Sequence, residues 1–173
     1  MQPGALWAEL STVGPAEIAA FASEARRFDV ALMDCPVTGG VHRAARGEMT
    51  MFVGGEKSQV AQHRKALDAM CSPVLHLGAV GSASTAKLIT NMLCMVDLIA
   101  AGDAILLAER AGLDLAEFYR AVVASSGNSR EFEDWAPRIL DGSYDTGFTL
   151  SLALKDMRFT SDLSRGLDVP MID

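Results

Sequence analysis

Between Leu88 and Ala108 the chain is almost wholly apolar, and only Thr90, Asn91, Asp97 and Asp103 interrupt it with polar side chains. A run of that length either crosses a bilayer or buries its sides inside a protein. The two carboxylates weigh against the bilayer, where each would cost roughly 3 kcal/mol near the centre. The expectation is one buried helix from Ser84 to Ala111, stopped by Gly112, in a protein that does not span a membrane. The start of this helix carries Lys87 and Asn91, which are four residues apart and so share a face. An ammonium in so apolar a setting is costly unless something uses it. Lys87 is therefore the first candidate for chemistry, with Asn91 as the group that would orient it.

Upstream the pattern changes. Apolar runs at 5–10, 30–33, 49–53 and 74–77 read as short strands. Pro15 opens a helix over 16–27, and residues 57–70 form another, with Val60, Ala61, Leu67 and Met70 on its apolar side. Gly39-Gly40 and Gly54-Gly55 break the chain. Strands alternating with helices predict an α/β sheet with crossover helices. Downstream of Gly112 no strand-like alternation occurs. Asp114 can cap a helix over 115–125, and further helices are expected over 131–140, despite Pro137, and over 149–165. A boundary near residue 82 thus separates an α/β part (1–82) from an all-α part (83–173).

The formal net charge of −7 argues against a nucleic-acid surface, and it makes an anionic substrate depend on a local patch of positive charge. Cys35, Cys71 and Cys94 are odd in number and fit no CxxC pattern, which points to a reducing, cytoplasmic setting. His42, His63 and His76 have no ligand spacing, so no metal is expected. The chain contains no G-x-G-x-x-G phosphate loop and no G-x-x-x-x-G-K-[ST].

The segment Asp34-Cys35-Pro36-Val37-Thr38-Gly39-Gly40-Val41, followed by Ala44 and Gly47, resembles the substrate-binding signature of the β-hydroxyacid dehydrogenases. Gly78 to Asn91 is similar to the catalytic-lysine segment of that family, with Lys87 at the lysine and Asn91 at its partner asparagine. Ser11-Thr12-Val13-Gly14-Pro15 resembles the segment near the nicotinamide, and Lys155-Asp156, with Gly166 and Pro170 beyond, resembles a later motif whose lysine approaches the cofactor. Four motifs in order cover essentially the whole chain. Arg43 stands where glycine is common, Ala83 where a second loop glycine often sits, and Thr90 where a first asparagine often precedes the partner.

The resemblance implies the later part of a Rossmann-type dinucleotide-binding domain followed by an all-α domain built on the long helix. Family members begin with a complete βαβ unit and continue past the position of Pro170, so the chain resembles an internal piece. The implied activity is hydride transfer between NAD or NADP and a small 3-hydroxy acid or aldehyde acid, of the 3-hydroxyisobutyrate dehydrogenase or tartronate semialdehyde reductase type. Lys87 and Asn91 would be catalytic. Thr38, Gly39 and Gly40 would bind the substrate carboxylate, and Ser11, Thr12 and Lys155 would face the cofactor. A homo-oligomer is expected, because the long helix favours a dimer. Other readings stay open. The chain could be a non-catalytic module, since without the glycine loop the pyrophosphate has no helix N-terminus to rest on. Lys87 could form a Schiff base. A 6-phosphogluconate dehydrogenase relationship ranks lower, because Ser84-Thr85-Ala86 leaves no histidine beside the lysine. Cys35 reads as a small buried residue and not a nucleophile, and Lys155-Asp156 alone could be only a surface pair.

Overall fold

The computed structural model describes residues 2–144 and 147–171. Five strands form one mixed sheet: β1 (Leu6–Glu9), β2 (Ala31–Asp34), β3 (Val37–Thr38), β4 (Thr50–Gly54) and β5 (Val74–Gly78). Helix α1 (Pro15–Arg26) crosses between the parallel pair β1 and β2, and α3 (Lys57–Met70) crosses between the parallel pair β4 and β5. The two pairs meet antiparallel through β2 and β4. The expected α/β sheet with crossover helices is therefore present, with an antiparallel seam in its middle.

β2 and β3 are one strand interrupted at Cys35-Pro36. Asp34 pairs with Gly54, Val37 with Met51 and Thr38 with Thr50, which is a single continuous register. Pro36 has no N–H to give the ladder, but its carbonyl still accepts from the Phe52 N–H at 3.0 Å. The registers Glu9↔Asp34, Asp34↔Gly54 and Gly54↔Gly78 fall on one rung across the sheet. Each of these four residues is the last of its strand. Strands from both directions thus reach the same line: the chain leaves the sheet there after β1, β4 and β5, whereas β2 runs on across the Cys35-Pro36 break into β3. Loops at such strand ends are where α/β folds build sites.

After Thr38 comes an element that the double glycine concealed, α2 (Gly40–Ala45), a helix of six residues. Helix α4 (Ser82–Arg110) follows β5 directly and ends at Gly112, whose φ of +78° suits glycine. The Leu113 N–H then returns to the Ala108 carbonyl at 3.0 Å, closing the helix end. The remaining helices are α5 (Leu115–Val123), α6 (Arg130–Leu140) and α7 (Leu150–Gly166). Asp114 caps α5 as expected, accepting from the Glu117 N–H at 2.9 Å, and Ser129 caps α6 through the Phe132 N–H at 3.1 Å. Pro137 lies inside α6 without ending it.

Packing divides the chain into two compact units, one made of residues 1–90 and 154–173 and the other of residues 91–153. This cut follows packing, whereas a boundary at 82 follows the change from strand–helix alternation to helix alone. The first unit holds two buried clusters. Met33, Cys35, Met51, Val53, Val60, Leu67, Cys71 and Val74 fill the space between the sheet and α3. Ile18, Ala25, Val30 and Leu32 form the other under α1, where Trp7 and Phe21 stack at 5.3 Å. The second unit packs Ala101 and Ile105 of α4 against Phe132 and Ala136 of α6. The expectation of a buried helix holds for α4 only in part, near its start and along the side that carries Ala101, Ile105 and Ala108. Leu88, Ala101, Ile105 and Ala108 are buried, but Leu93, Val96, Ile99 and Leu107 are exposed.

Gly54 lies on the common rung, and its lack of a side chain is a packing requirement. A Cβ there would sit 2.3 Å from Asp34 Oδ1 and 2.8 Å from the Ala79 carbonyl oxygen. We expect Gly54→Ala to lower unfolding stability in urea by about 1–3 kcal/mol, the usual range for forcing atoms into a filled interior. An unchanged urea midpoint would contradict this.

Candidate functional site

The rung of strand ends is organised by Asp34. Its side chain is fully buried at the end of β2. One carboxylate oxygen accepts from the Gly81 N–H at 2.8 Å and the other from the Ser84 N–H at 2.7 Å. These are donors at the N-terminus of α4, where no helical carbonyl is available to them. A carboxylate there also meets the favourable end of the helix dipole. Asp34 therefore fastens the start of α4 to the strand that runs on, through Pro36, to Thr38 and Gly39.

Lys87 lies three residues beyond Ser84 on α4 and is buried, with only 7 % of its surface exposed. Thr90 Oγ1 donates back to the Lys87 carbonyl at 3.0 Å. Asn91 follows one turn after Lys87 in the same continuous helix and is half-buried. Thr38 is half-buried at the end of β3, and Gly39 and Gly40 are exposed with φ of +133° and +69°.

The two segments expected from sequence to face a cofactor meet. Lys155 Nζ of α7 donates to the Thr12 carbonyl at 2.6 Å, 143 residues away in the chain. The same ammonium lies 3.1 Å from Asp156 Oδ1 and 5.7 Å from the centre of the Phe159 ring. Asp156 is buried, so this is no solvated surface pair. Gly14 closes the contact, since a Cβ on it would come within 3.1 Å of Phe159. Ser11 is exposed, and its N–H donates to Glu9 at 2.9 Å. Burial pushes the Glu9 carboxyl up, but the bonds it accepts from Ser11 and Trp7 outweigh burial and hold it below the usual carboxylate value.

Beside these segments an open groove of about 410 Å³ runs between the starts of α1 and α4, lined by Pro15, Ile18, Val80, Gly81, Ser82 and Thr85. Ser82 Oγ, on its wall, is buried and has no hydrogen-bond partner among the described residues. Cys35 is fully buried, and burial first, then the neighbouring Asp34 and Cys71, push its thiol up to about 12. It is a packed side chain and a poor nucleophile.

Asp34 is the residue whose role the sequence did not disclose. Its signal was a carboxylate closing an apolar strand run directly before Cys-Pro, where an acid can stay buried only if donors reach it. The partners, 47 and 50 residues away, could not be read from spacing.

Residues 1–78 match the NAD-binding domain of 6-phosphogluconate dehydrogenase. Residues 81–172 match the NAD-binding family of NADP-dependent 3-hydroxyisobutyrate dehydrogenase. The chain is 32% identical over 172 residues to L-threonate dehydrogenase of Escherichia coli K12, covering 99% of the chain and 57% of that protein. It is 32% identical over 179 residues to the mitochondrial 3-hydroxyisobutyrate dehydrogenase of Rattus norvegicus, covering 53% of that protein. A crystal structure of 3-hydroxyisobutyrate dehydrogenase from Salmonella typhimurium superposes with a TM-score of 0.89 at 32% identity, over 99% of this chain and 60% of that one. The chain thus spans about half the length of the curated relatives it matches.

Removing the Asp34 carboxylate leaves two amides at the start of α4 without acceptors. Asp34→Ala is expected to cost about 2 kcal/mol or more in urea unfolding and to speed hydrogen exchange at Gly81 and Ser84. Unchanged exchange at those two amides would show that the carboxylate does not hold them. The Cys35 thiol carries a pH dependence of its own. In the unfolded chain it ionises near its ordinary 9.0, whereas in the fold it keeps its proton to about 12. The unfolded state therefore binds fewer protons in that window, so stability falls as pH rises above 9 and is unaffected by this group below it. Between pH 8 and pH 10 the wild-type chain should lose about 1 kcal/mol more than Cys35→Ala. Parallel losses in urea titrations of the two would refute the assignment.

Proposed function

Because the chain belongs to the β-hydroxyacid dehydrogenase family, we propose that it forms the substrate-handling part of an NAD(P)-dependent oxidoreductase. The substrate class is a small 3-hydroxy acid or the corresponding aldehyde acid. The observation that carries this reading is the buried Lys87, one turn inside a helix whose start Asp34 fastens to the strand leading to Thr38, Gly39 and Gly40.

The roles follow from the chemistry of the groups. Thr38, Gly39 and Gly40 bind the substrate carboxylate, because glycines let backbone N–H groups come close to an anion. Lys87 takes the hydroxyl proton during oxidation, and returns it to the carbonyl oxygen during reduction. Asn91, on the same helix face, donates to the substrate hydroxyl or holds the lysine in place. The nicotinamide supplies the hydride acceptor when bound. Ser11, Thr12 and Lys155 would hold that end of the dinucleotide, NAD or NADP. The groove beside the starts of α1 and α4, with the unpartnered Ser82 hydroxyl on its wall, is compatible with such a ring amide.

The chain carries no G-x-G-x-x-G for the pyrophosphate. That observation favours a second reading, a module that folds and associates but does not retain the dinucleotide by itself. In either reading we take the chain to be a cytoplasmic homo-oligomer. The exposed stripe Leu93, Val96, Ile99 and Leu107 on α4 supports association. The helix is long and apolar enough to cross a membrane by length and composition, but Asp97 and Asp103 on it favour a protein partner over lipid.

Two measurements test the proposal. Titration of NADH and NADPH against the chain separates the readings, since saturable low-micromolar binding would eliminate the module. In a fusion that places a dinucleotide-binding βαβ unit ahead of the chain, Lys87→Ala should lower kcat roughly 10²–10⁴-fold while leaving cofactor affinity unchanged. Near-normal turnover in that variant would reject Lys87 as the acid–base group.

A further inference from the structure

We infer that Arg43 supplies the positive charge of the Thr38–Gly40 loop, and that it selects the ionised carboxylate of a small hydroxy acid over neutral analogues of the same shape. This rests on reading that loop as the carboxylate cradle. Gly39 has φ of +133°, and a Cβ built on it would come within 2.9 Å of Arg43 Cδ and 3.1 Å of Arg43 Cβ. The arginine stem therefore fills the space that any other residue at 39 would need for its own side chain. Arg43 lies four residues on, in α2, so its methylenes fold back over the loop. It is half-buried, whereas Val41, His42 and Ala44 around it are exposed. A stem packed in this way keeps the guanidinium beside the loop instead of letting it sweep through solvent.

Among the described residues no carboxylate pairs with that guanidinium. Arg46 pairs with Glu48 at 2.7 Å and Arg64 with Asp68 at 2.8 Å, but the Arg43 guanidinium has no hydrogen bond or ion pair among the described residues. In a chain of net charge −7, an unclaimed cation beside two glycines is a place that draws an anion. Its planar fork of donors matches a carboxylate through two parallel bonds, which an amide or alcohol cannot reciprocate. The positive patch that an acidic chain needs for an acidic substrate is then one side chain, held in register by the absence of another.

The test is calorimetric titration of the chain without cofactor, using glycerate and its neutral amide, glyceramide, as probes. Glycerate should bind more tightly than glyceramide. Arg43→Gln, which keeps part of the stem over Gly39, should weaken glycerate roughly tenfold or more and leave glyceramide within about twofold. Arg43→Lys should recover part of the loss. Equal glycerate affinity in wild type and Arg43→Gln overturns the inference, and so does a wild-type chain that binds acid and amide alike or binds neither. The titration involves no hydride transfer, so the two readings fail separately. Acid selectivity without turnover in the fusion enzyme removes only the dehydrogenase reading, and turnover with no effect of Arg43→Gln removes only this one.

Discussion

The two hydrogen bonds from Gly81 and Ser84 to the Asp34 carboxylate are the contact on which the site depends. A helix as apolar as α4 has little of its own to fix where it begins along its axis. Buried apolar faces slide at modest cost, whereas a charge sealed from water tolerates no loss of its donors. Asp34 thus converts a loosely specified packing into a defined register. Because it sits on the strand that continues into Thr38 and Gly39, that register is inherited by Lys87 one turn further on. Gly54 belongs to the same device, since any side chain there would occupy the volume of the carboxylate.

The four strand ends that share one rung explain why a small sheet can serve as a platform. Parallel pairs send their connections off the same edge, and joining two such pairs antiparallel brings both sets of exits to a common line. The loop after β1 carries Ser11 and Thr12, the break after β2 leads to the glycine pair, and the exit from β5 becomes α4. Residues far apart in sequence are neighbours there for a topological reason. Lys155, from the last helix, joins them through the Thr12 carbonyl.

Much of this was legible beforehand, because the signals were local. Helix α3 runs from 57 to 70 as its apolar spacing requires, Gly112 ends α4, and Asp114 caps α5. The short helix α2 was hidden behind Gly39-Gly40, since a glycine pair advertises a break and six residues are too few for periodicity to speak. The antiparallel seam was invisible, because each of its strands looks the same in either direction. The exposed side of α4 could not be told from its buried side by composition, as both are apolar. The function of Asp34 was unreadable because its partners come from a distant turn. Lys87 stood out for the opposite reason, a single cation in surroundings that do not welcome one.

The first unit is discontinuous along the chain, with residues 1–90 completed by residues from 154 onward. During synthesis the sheet, its crossover helices and the start of α4 emerge first. The Thr12 carbonyl then has to wait through more than sixty further residues before Lys155 leaves the ribosome to meet it. Loop-closure entropy makes such a late, distant contact the slow part of assembly. A nascent chain stalled inside 91–153 would hold a nearly finished platform with one flank still bare, which is the state in which a chaperone would find it.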